Sequence, residues 1–188
     1  MKLLWLQSGG CGGCSMSLLC SGAQDVLGLL ASAGIELAWH PSLSEASGEE
    51  VRAILADFES GRAPLDLLCV EGSLLTGPNG SGRFHMLGGT GRPMIDWVKG
   101  LAGRARYTLG VGTCATYGGV TAGGINPAGA IGLQYDGNQK GGLLGPDYRS
   151  AAGLPVINIA GCPTHPDWVT DTLLALALGQ FGEADMDA

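Results

Sequence analysis

A chain of 188 residues with a net charge of -7 and only 14% charged side chains lacks the basic footprint that nucleic acid or an anionic membrane surface would require. Its length suits one domain with a real core, and no apolar stretch is long enough for membrane insertion. Glycine makes up 34 residues with no fixed period, which excludes a collagen-like chain and suits loops that wrap a rigid ligand or lie flat against a partner.

Leu3-Leu4-Trp5-Leu6-Gln7 reads as a buried strand, entered directly from Met1-Lys2. A start of this kind carries no secretory or twin-arginine leader, so the expected setting is the cytoplasm. There the six cysteines are expected to be thiols, metal ligands or redox centres rather than disulfides. The loop Gly9-Gly10-Cys11-Gly12-Gly13-Cys14-Ser15 comes next, and residues 17–33 then carry apolar side chains at helical spacing up to Gly34. Ile35 to Trp39 is a second strand, ended by His40-Pro41. Ser47-Gly48-Glu49-Glu50 opens a helix, acidic in its first turn, that closes at Ser60-Gly61. Residues 65–70 form a third strand with Glu71-Gly72 at its carboxyl end, followed by a loop over residues 73–91 and a helix from Pro93 through Leu101. Residues 107–111 are a fourth strand ending in Gly112-Thr113-Cys114. The glycine-rich excursion over residues 118–152 has little regular pattern; Leu133, Tyr135, Leu143, Leu144 and Tyr148 make it read as an interface rather than disorder. Residues 154–159 are a fifth strand ending in Ala160-Gly161-Cys162-Pro163, and residues 167–178 close as a helix.

Strands alternating with helices imply a doubly wound parallel sheet with helices on both faces, and such sheets bind ligands beyond the carboxyl ends of their strands. Cys11, Cys14, Cys114 and Cys162 each follow the carboxyl end of an expected strand, so four distant thiols converge on one sheet edge. A C-x-x-C pair alone fits a thioredoxin-like redox pair, half a zinc site or half an iron–sulfur site. Structural zinc sites with four cysteines usually have two such knuckles. Here the third and fourth cysteines are single, far apart and set among glycines, which favours an iron–sulfur cluster with thiolate ligands and backbone N–H donors.

Gly10-Cys11-Gly12-Gly13-Cys14, Val70-Glu71-Gly72, Gly112-Thr113-Cys114-Ala115 and the run from Gly161-Cys162-Pro163 to Trp168 together resemble the small subunit of nickel–iron hydrogenases. The run from Trp5 to Ser17 and Trp39-His40-Pro41-Ser42-Leu43 resemble more narrowly its cytoplasmic hydrogen-sensing branch. The resemblance implies a flavodoxin-like domain, residues 1–180, whose Cys11, Cys14, Cys114 and Cys162 bind one proximal 4Fe–4S cluster. Gly10, Gly12, Thr113 and Glu71 then surround the thiolates. An obligate large subunit carries the nickel–iron site, so this chain relays electrons and activates no hydrogen itself. The further partner is a histidine kinase in a sensing system or a flavin-bearing redox subunit in an NAD-reducing one. Family members commonly continue into a second cluster-bearing half that does not follow here, and residues 181–188 read as an acidic tail or truncated linker. Gly13 and Gly119 stand where an oxygen-tolerant branch adds cysteines, so an ordinary four-thiolate cluster is expected.

The remaining polar and sulfur-bearing residues have structural readings. Cys20 and Cys69 are expected to be small buried hydrophobes, His40 and His165 to bond backbone or partner, and Glu71 to anchor the loops by accepting N–H bonds. Asp167 and Trp168 open the last helix as N-terminal charge and core anchor, and Glu49, Glu50, Asp185 and Asp187 face solvent.

Overall fold

The structure, a computed structural model, describes residues 1–22 and 25–186. Five parallel strands form its sheet: β1 (Lys2–Gln7), β2 (Glu36–Trp39), β3 (Leu67–Glu71), β4 (Tyr107–Val111) and β5 (Ile157–Ile159). Their spatial order is β5-β4-β3-β1-β2, the doubly wound flavodoxin-like order, with its switch point between β1 and β3. The helices are α1 (Gly13–Leu18), α2 (Val26–Ser32), α3 (Glu49–Ser60), α4 (Met94–Ala102), α5 (Gly112–Tyr117) and α6 (Pro166–Ala177).

The near-continuous apolar runs of the central strands follow from burial on both faces. Along β1, Leu4 and Leu6 point into one core with Leu68 and Val70 of β3, Leu55 and Phe58 of α3, and Trp97 and Leu101 of α4. Leu3 and Trp5 point the other way, against Leu67, Cys69, Leu109, Leu18 of α1, Leu30 of α2 and Leu173 of α6. Each such aliphatic side chain contributes about 1.5–3 kcal/mol by leaving water. Between α3 and α4, Arg92 reaches Glu59 at 2.7 Å and lies 4.5 Å over the Trp97 ring. Among the described residues no helix is long and apolar enough to cross a membrane.

Register brings the strand ends flush, since Gln7 pairs with Glu71, Glu71 with Val111, and Ile159 with Val111. The loops after β1, β3, β4 and β5 therefore leave the sheet at one level.

Four expectations change. The single helix over residues 17–33 is two helices, with Ala23 and Gln24 outside the described residues. Local polar bonds override the apolar spacing: Asp25 caps α2 by accepting the Gly28 N–H at 3.0 Å, and the Gly22 N–H bonds Asp167 Oδ1 at 3.1 Å. Cys20, past the end of α1, is consequently exposed rather than buried. In the excursion over residues 118–152 four of the named apolar residues, Leu133, Leu143, Leu144 and Tyr148, join the core of their own chain, while Val120 and Ile125 stay exposed. Leu133 is fully buried, Leu143, Leu144 and Tyr148 pack on the first core, and the Tyr148 hydroxyl donates to Ala102 O at 2.8 Å. Residues 181–186 are docked, with Phe181 and Met186 against the second core and Arg149 paired to Glu183 at 2.8 Å. Asp185 is exposed as expected, and the expectation for Asp187 lies outside the described residues.

A fifth expectation, Trp168 as a core anchor, changes as well: the residue is 58% exposed, with its ring tilted against that of His165 at a centroid distance of 5.6 Å. Pro166 takes the first position of α6, where its missing N–H is not needed, and His165 Nδ1 accepts the Asp167 N–H.

Candidate functional site

Short connections at the carboxyl edge place the cysteines. After β1, Gly12 caps α1 and its carbonyl accepts the Met16 N–H at 3.1 Å, which puts Cys14 inside the first turn and Cys11 just before it. After β4 the chain enters α5 at once, a helix that the glycine-rich sequence gave little sign of, and Cys114 lies in its first turn. After β5 comes Cys162. The Thr113 N–H donates to Gly161 O at 2.8 Å and Thr113 Oγ1 accepts the Gly161 N–H at 3.1 Å, so the two later loops are tied together. Ser17 Oγ donates to Thr164 O at 2.7 Å, joining the first loop to the third.

The four thiols lie within one electrostatic neighbourhood. Burial pushes the Cys14 thiol up to about 11, against the Thr164 N–H on its sulfur; the Glu71 carboxylate and the Cys114 and Cys11 thiols add to the rise. Burial likewise raises Cys114, followed by Cys162 and Cys11, with the Val120 N–H pulling the other way. Cys69 is buried mid-strand among apolar neighbours, and burial alone pushes its thiol up, so it belongs to the core as expected. Cys11 and Cys162 are exposed, which leaves the site open to the surface.

Glycines lie directly against the sulfurs. A Cβ on Gly112 would stand 2.5 Å from Cys14 Sγ, one on Gly119 2.5 Å from Cys114 Sγ, and one on Gly13 3.1 Å from Cys11 Sγ. Gly10 backs the loop from the other side, where a Cβ would meet Gly72 Cα at 3.1 Å. No three His, Cys, Asp or Glu among the described residues are grouped to hold a single metal ion. Four thiols brought to one sheet edge by three separate loops, set in a glycine cradle with N–H groups on two sulfurs, suit an iron–sulfur cluster held by thiolates and backbone donors.

Gly119 makes this testable. Its φ of 63° and ψ of -156° lie in a region that side chains disfavour by about 1–3 kcal/mol. Gly119→Ala adds a methyl against Cys114, and is expected to lower bound iron well below that of the parent. Iron content after anaerobic purification checks this, and an undiminished value removes Gly119 from the cradle.

Glu71 is the polar hub of the edge and is 4% exposed. Its Oε1 accepts the Cys14 N–H at 2.9 Å and the Ser15 N–H at 3.1 Å. Its Oε2 accepts Trp5 Nε1–H at 3.2 Å, Gln7 Nε2–H at 3.1 Å and the Ser15 hydroxyl. The anchoring geometry expected for Glu71 is present, and it grips the C-x-x-C turn itself. Trp5, Gln7 and Ser15 are the residues that sequence reasoning missed here, while His40 bonds backbone as expected, through the Ser42 N–H, and in addition reaches Ser15 Oγ. Gln7, a polar side chain at the carboxyl end of a central strand, was the available signal.

His40 is 1% exposed, with Nε2 3.0 Å from Ser15 Oγ and Nδ1 accepting the Ser42 N–H at 3.0 Å. Burial pushes its pKa down to about 4 from 6.5, with Glu71 opposing. Below pH 6.5 the unfolded chain takes up a proton that folded His40 refuses. Its contribution is therefore complete above about pH 6.5 and is lost as pH falls towards 4, to the extent of roughly 3 kcal/mol. Unfolding midpoints are expected to drop between pH 7 and 5, and His40→Phe to flatten that slope. An equal slope in both proteins would place the acid sensitivity elsewhere.

Comparison with known proteins shows the family. Residues 11–176 match the family described as NADH ubiquinone oxidoreductase, 20 Kd subunit. The F420 non-reducing hydrogenase II small subunit of Methanosarcina mazei is 33% identical over 96% of this chain and 49% of its own length. The periplasmic [NiFeSe] hydrogenase small subunit of Desulfomicrobium baculatum is 30% identical over 92% of this chain and 53% of its own. An actinobacterial-type NiFe-hydrogenase from Ralstonia eutropha H16 superposes with a TM-score of 0.80 at 32% identity, over 97% of this chain and 55% of that one. The chain spans about half the length of the curated relatives it matches. By its family match over residues 11–176 and its likeness to these proteins, the chain belongs to the NADH ubiquinone oxidoreductase 20 Kd subunit family, and within it to the small subunits of nickel–iron hydrogenases.

Proposed function

We propose that Cys11, Cys14, Cys114 and Cys162 hold one 4Fe–4S cluster through which this chain relays electrons between a nickel–iron large subunit and a downstream acceptor. The observation that carries the reading is the packing of Gly13, Gly112 and Gly119 on three of the four sulfurs at one sheet edge. When bound, such a cluster supplies one-electron transfer at a potential set by its net charge and its N–H···S bonds. The chain's own part is to hold the thiolates. The Thr164 and Val120 N–H groups favour the ionised sulfurs of Cys14 and Cys114, and Thr113 locks the second loop to the third. Hydrogen activation is assigned to the partner. Met16, Val120, Ile125 and Trp168 are exposed apolar side chains carried by the loops and helices that follow the thiols, and they suit an obligate large-subunit interface.

The reading is tested on the anaerobically purified heterodimer, where four irons and four sulfides are expected on this chain and hydrogen should bleach the cluster absorbance. Zinc in place of iron, or a cluster that hydrogen leaves oxidised, counts against it. The hydrogen-sensing branch, in the cytoplasm, is the finer assignment. It is favoured by Trp39-His40-Pro41-Ser42-Leu43, whose histidine reaches the cysteine loop through Ser15. Recovery of a histidine kinase with the native complex supports it, whereas a flavin-bearing subunit moves the chain to the NAD-reducing type.

A further inference from the structure

We propose that His40 is a positioning residue: it directs the Ser15 hydroxyl proton onto Glu71, and so fixes the C-x-x-C turn and the charge presented to its thiolates. The inference deepens the cluster reading above and rests on it.

The direction of each proton follows from the partners. The Ser42 backbone N–H donates to His40 Nδ1 at 3.0 Å, so Nδ1 is an acceptor and the ring proton is on Nε2. His40 Nε2 is 3.0 Å from Ser15 Oγ, and Gln7 Nε2 donates to the same oxygen at 2.8 Å. A serine oxygen has two lone pairs and one proton. With both lone pairs taken by donors, that proton has one destination, Glu71 Oε2. Gln7 uses its other N–H on Glu71 Oε2 at 3.1 Å, so the three side chains close a ring of bonds around the carboxylate. Ser15 is thus held to Glu71 twice, by its hydroxyl and by its backbone N–H at 3.1 Å, beside the Cys14 N–H at 2.9 Å.

The elements that position His40 are equally specific. It follows β2, an edge strand that supplies no cysteine, and its N–H donates to Ser44 Oγ at 2.9 Å. Its ring lies 5.3 Å from that of Trp5, which donates to Glu71 in turn. Burial keeps the ring neutral, in agreement with the tautomer that the hydrogen bonds demand. Without the Nε2–H donor, one lone pair of a buried Oγ is empty and the hydroxyl can turn its proton to a carbonyl of its own helix. Glu71 then faces the Cys14 turn with one fewer hydrogen-bond donor. A less neutralised carboxylate disfavours the added electron, so the midpoint potential falls.

Two variants separate this role from simple packing. His40→Phe keeps a ring on Trp5 and removes the donor, whereas His40→Gln loses the ring and keeps an N–H near Nε2. In the assembled heterodimer, redox titration followed by the reduced-cluster EPR signal should show a lowered potential for His40→Phe and a near-parental one for His40→Gln. Ser15→Ala should lower it as well, and adding His40→Phe to Ser15→Ala should change nothing further, because His40 acts through Ser15. An unchanged potential in His40→Phe, a shift in His40→Gln at least as large, or additive shifts would overturn the proposal. If His40→Phe holds no iron, His40→Gln decides: iron retained supports the donor role and iron lost refutes it. A parental heterodimer without the cluster sinks the cluster reading before any variant is compared. The tautomer is then read on its own from the His40 ring nitrogens by 15N NMR, where a proton on Nδ1 would refute the inference and one on Nε2 support it.

Discussion

Replacing Cys114 or Cys162 by serine is expected to remove most of the iron from this chain, while Cys69→Ala keeps it. The contrast comes from placement. Cys114 and Cys162 follow β4 and β5 at the open sheet edge, where burial first, and then Cys162 and Cys11 as neighbours, raise the Cys114 thiol. Cys69 is fully buried within β3, two residues before the strand's last residue, Glu71. A serine hydroxyl is a harder, weaker ligand than the soft thiolate that iron–sulfur clusters select. Metal binding is also folding free energy, so three loops joined through Thr113 and Ser17 lose their common tie when one ligand fails. Cys69→Ala costs only packing, about 1 kcal/mol for one small buried group. Iron and sulfide per chain, with the visible spectrum, decide the matter. A parental four-iron spectrum in Cys114→Ser would strike that residue from the ligands.

Most of the framework for this prediction is legible in the sequence, and the reason is physical. Central parallel strands are buried on both faces, so Leu3-Leu4-Trp5-Leu6 and Leu67-Leu68-Cys69-Val70 read as unbroken apolar runs with the cysteines and Glu71 just beyond them. Glycines at helix ends were equally plain, as at Gly61, whose φ of 78° closes α3. What escaped reading depends on contacts distant in sequence. The break after α1 is held by Asp167, 145 residues away. Leu133 reads as part of an interface because it lies in a glycine-rich excursion with little regular pattern, yet its N–H bonds Ala115 O at 2.8 Å and its side chain enters the core. The ring of bonds among Gln7, Ser15, His40 and Glu71 joins β1, α1, the β2 end and β3, and no local spacing announces it.

That ring makes Glu71 the second position where a large effect is expected. Glu71→Ala leaves five donors without their acceptor: the N–H groups of Cys14 and Ser15, Trp5 Nε1, Gln7 Nε2 and the Ser15 hydroxyl. Each buried donor left unmade costs about 1–3 kcal/mol, although Gln7 and Ser15 can still satisfy one another. The Cys14 and Ser15 N–H groups and Trp5 Nε1 remain, so a net loss of roughly 3–9 kcal/mol is expected, enough to loosen the C-x-x-C turn. Glu71→Gln falls between this and the parent. Its single oxygen is best used on the Cys14 and Ser15 N–H pair, which turns its NH2 towards Ser15 Oγ and leaves Trp5 Nε1 without a partner. The turn then survives while the charge is gone. The cluster potential is expected to rise in Glu71→Gln with full iron occupancy, and iron itself to be lost in Glu71→Ala. A proton-carrying role for Glu71 ranks the variants differently, because glutamine transfers no proton and would stop hydrogen–deuterium exchange as completely as alanine. Isotope exchange and redox titration on the heterodimer separate the two. Exchange abolished in Glu71→Gln at an unmoved potential would transfer Glu71 from the anchor of the turn to a proton path.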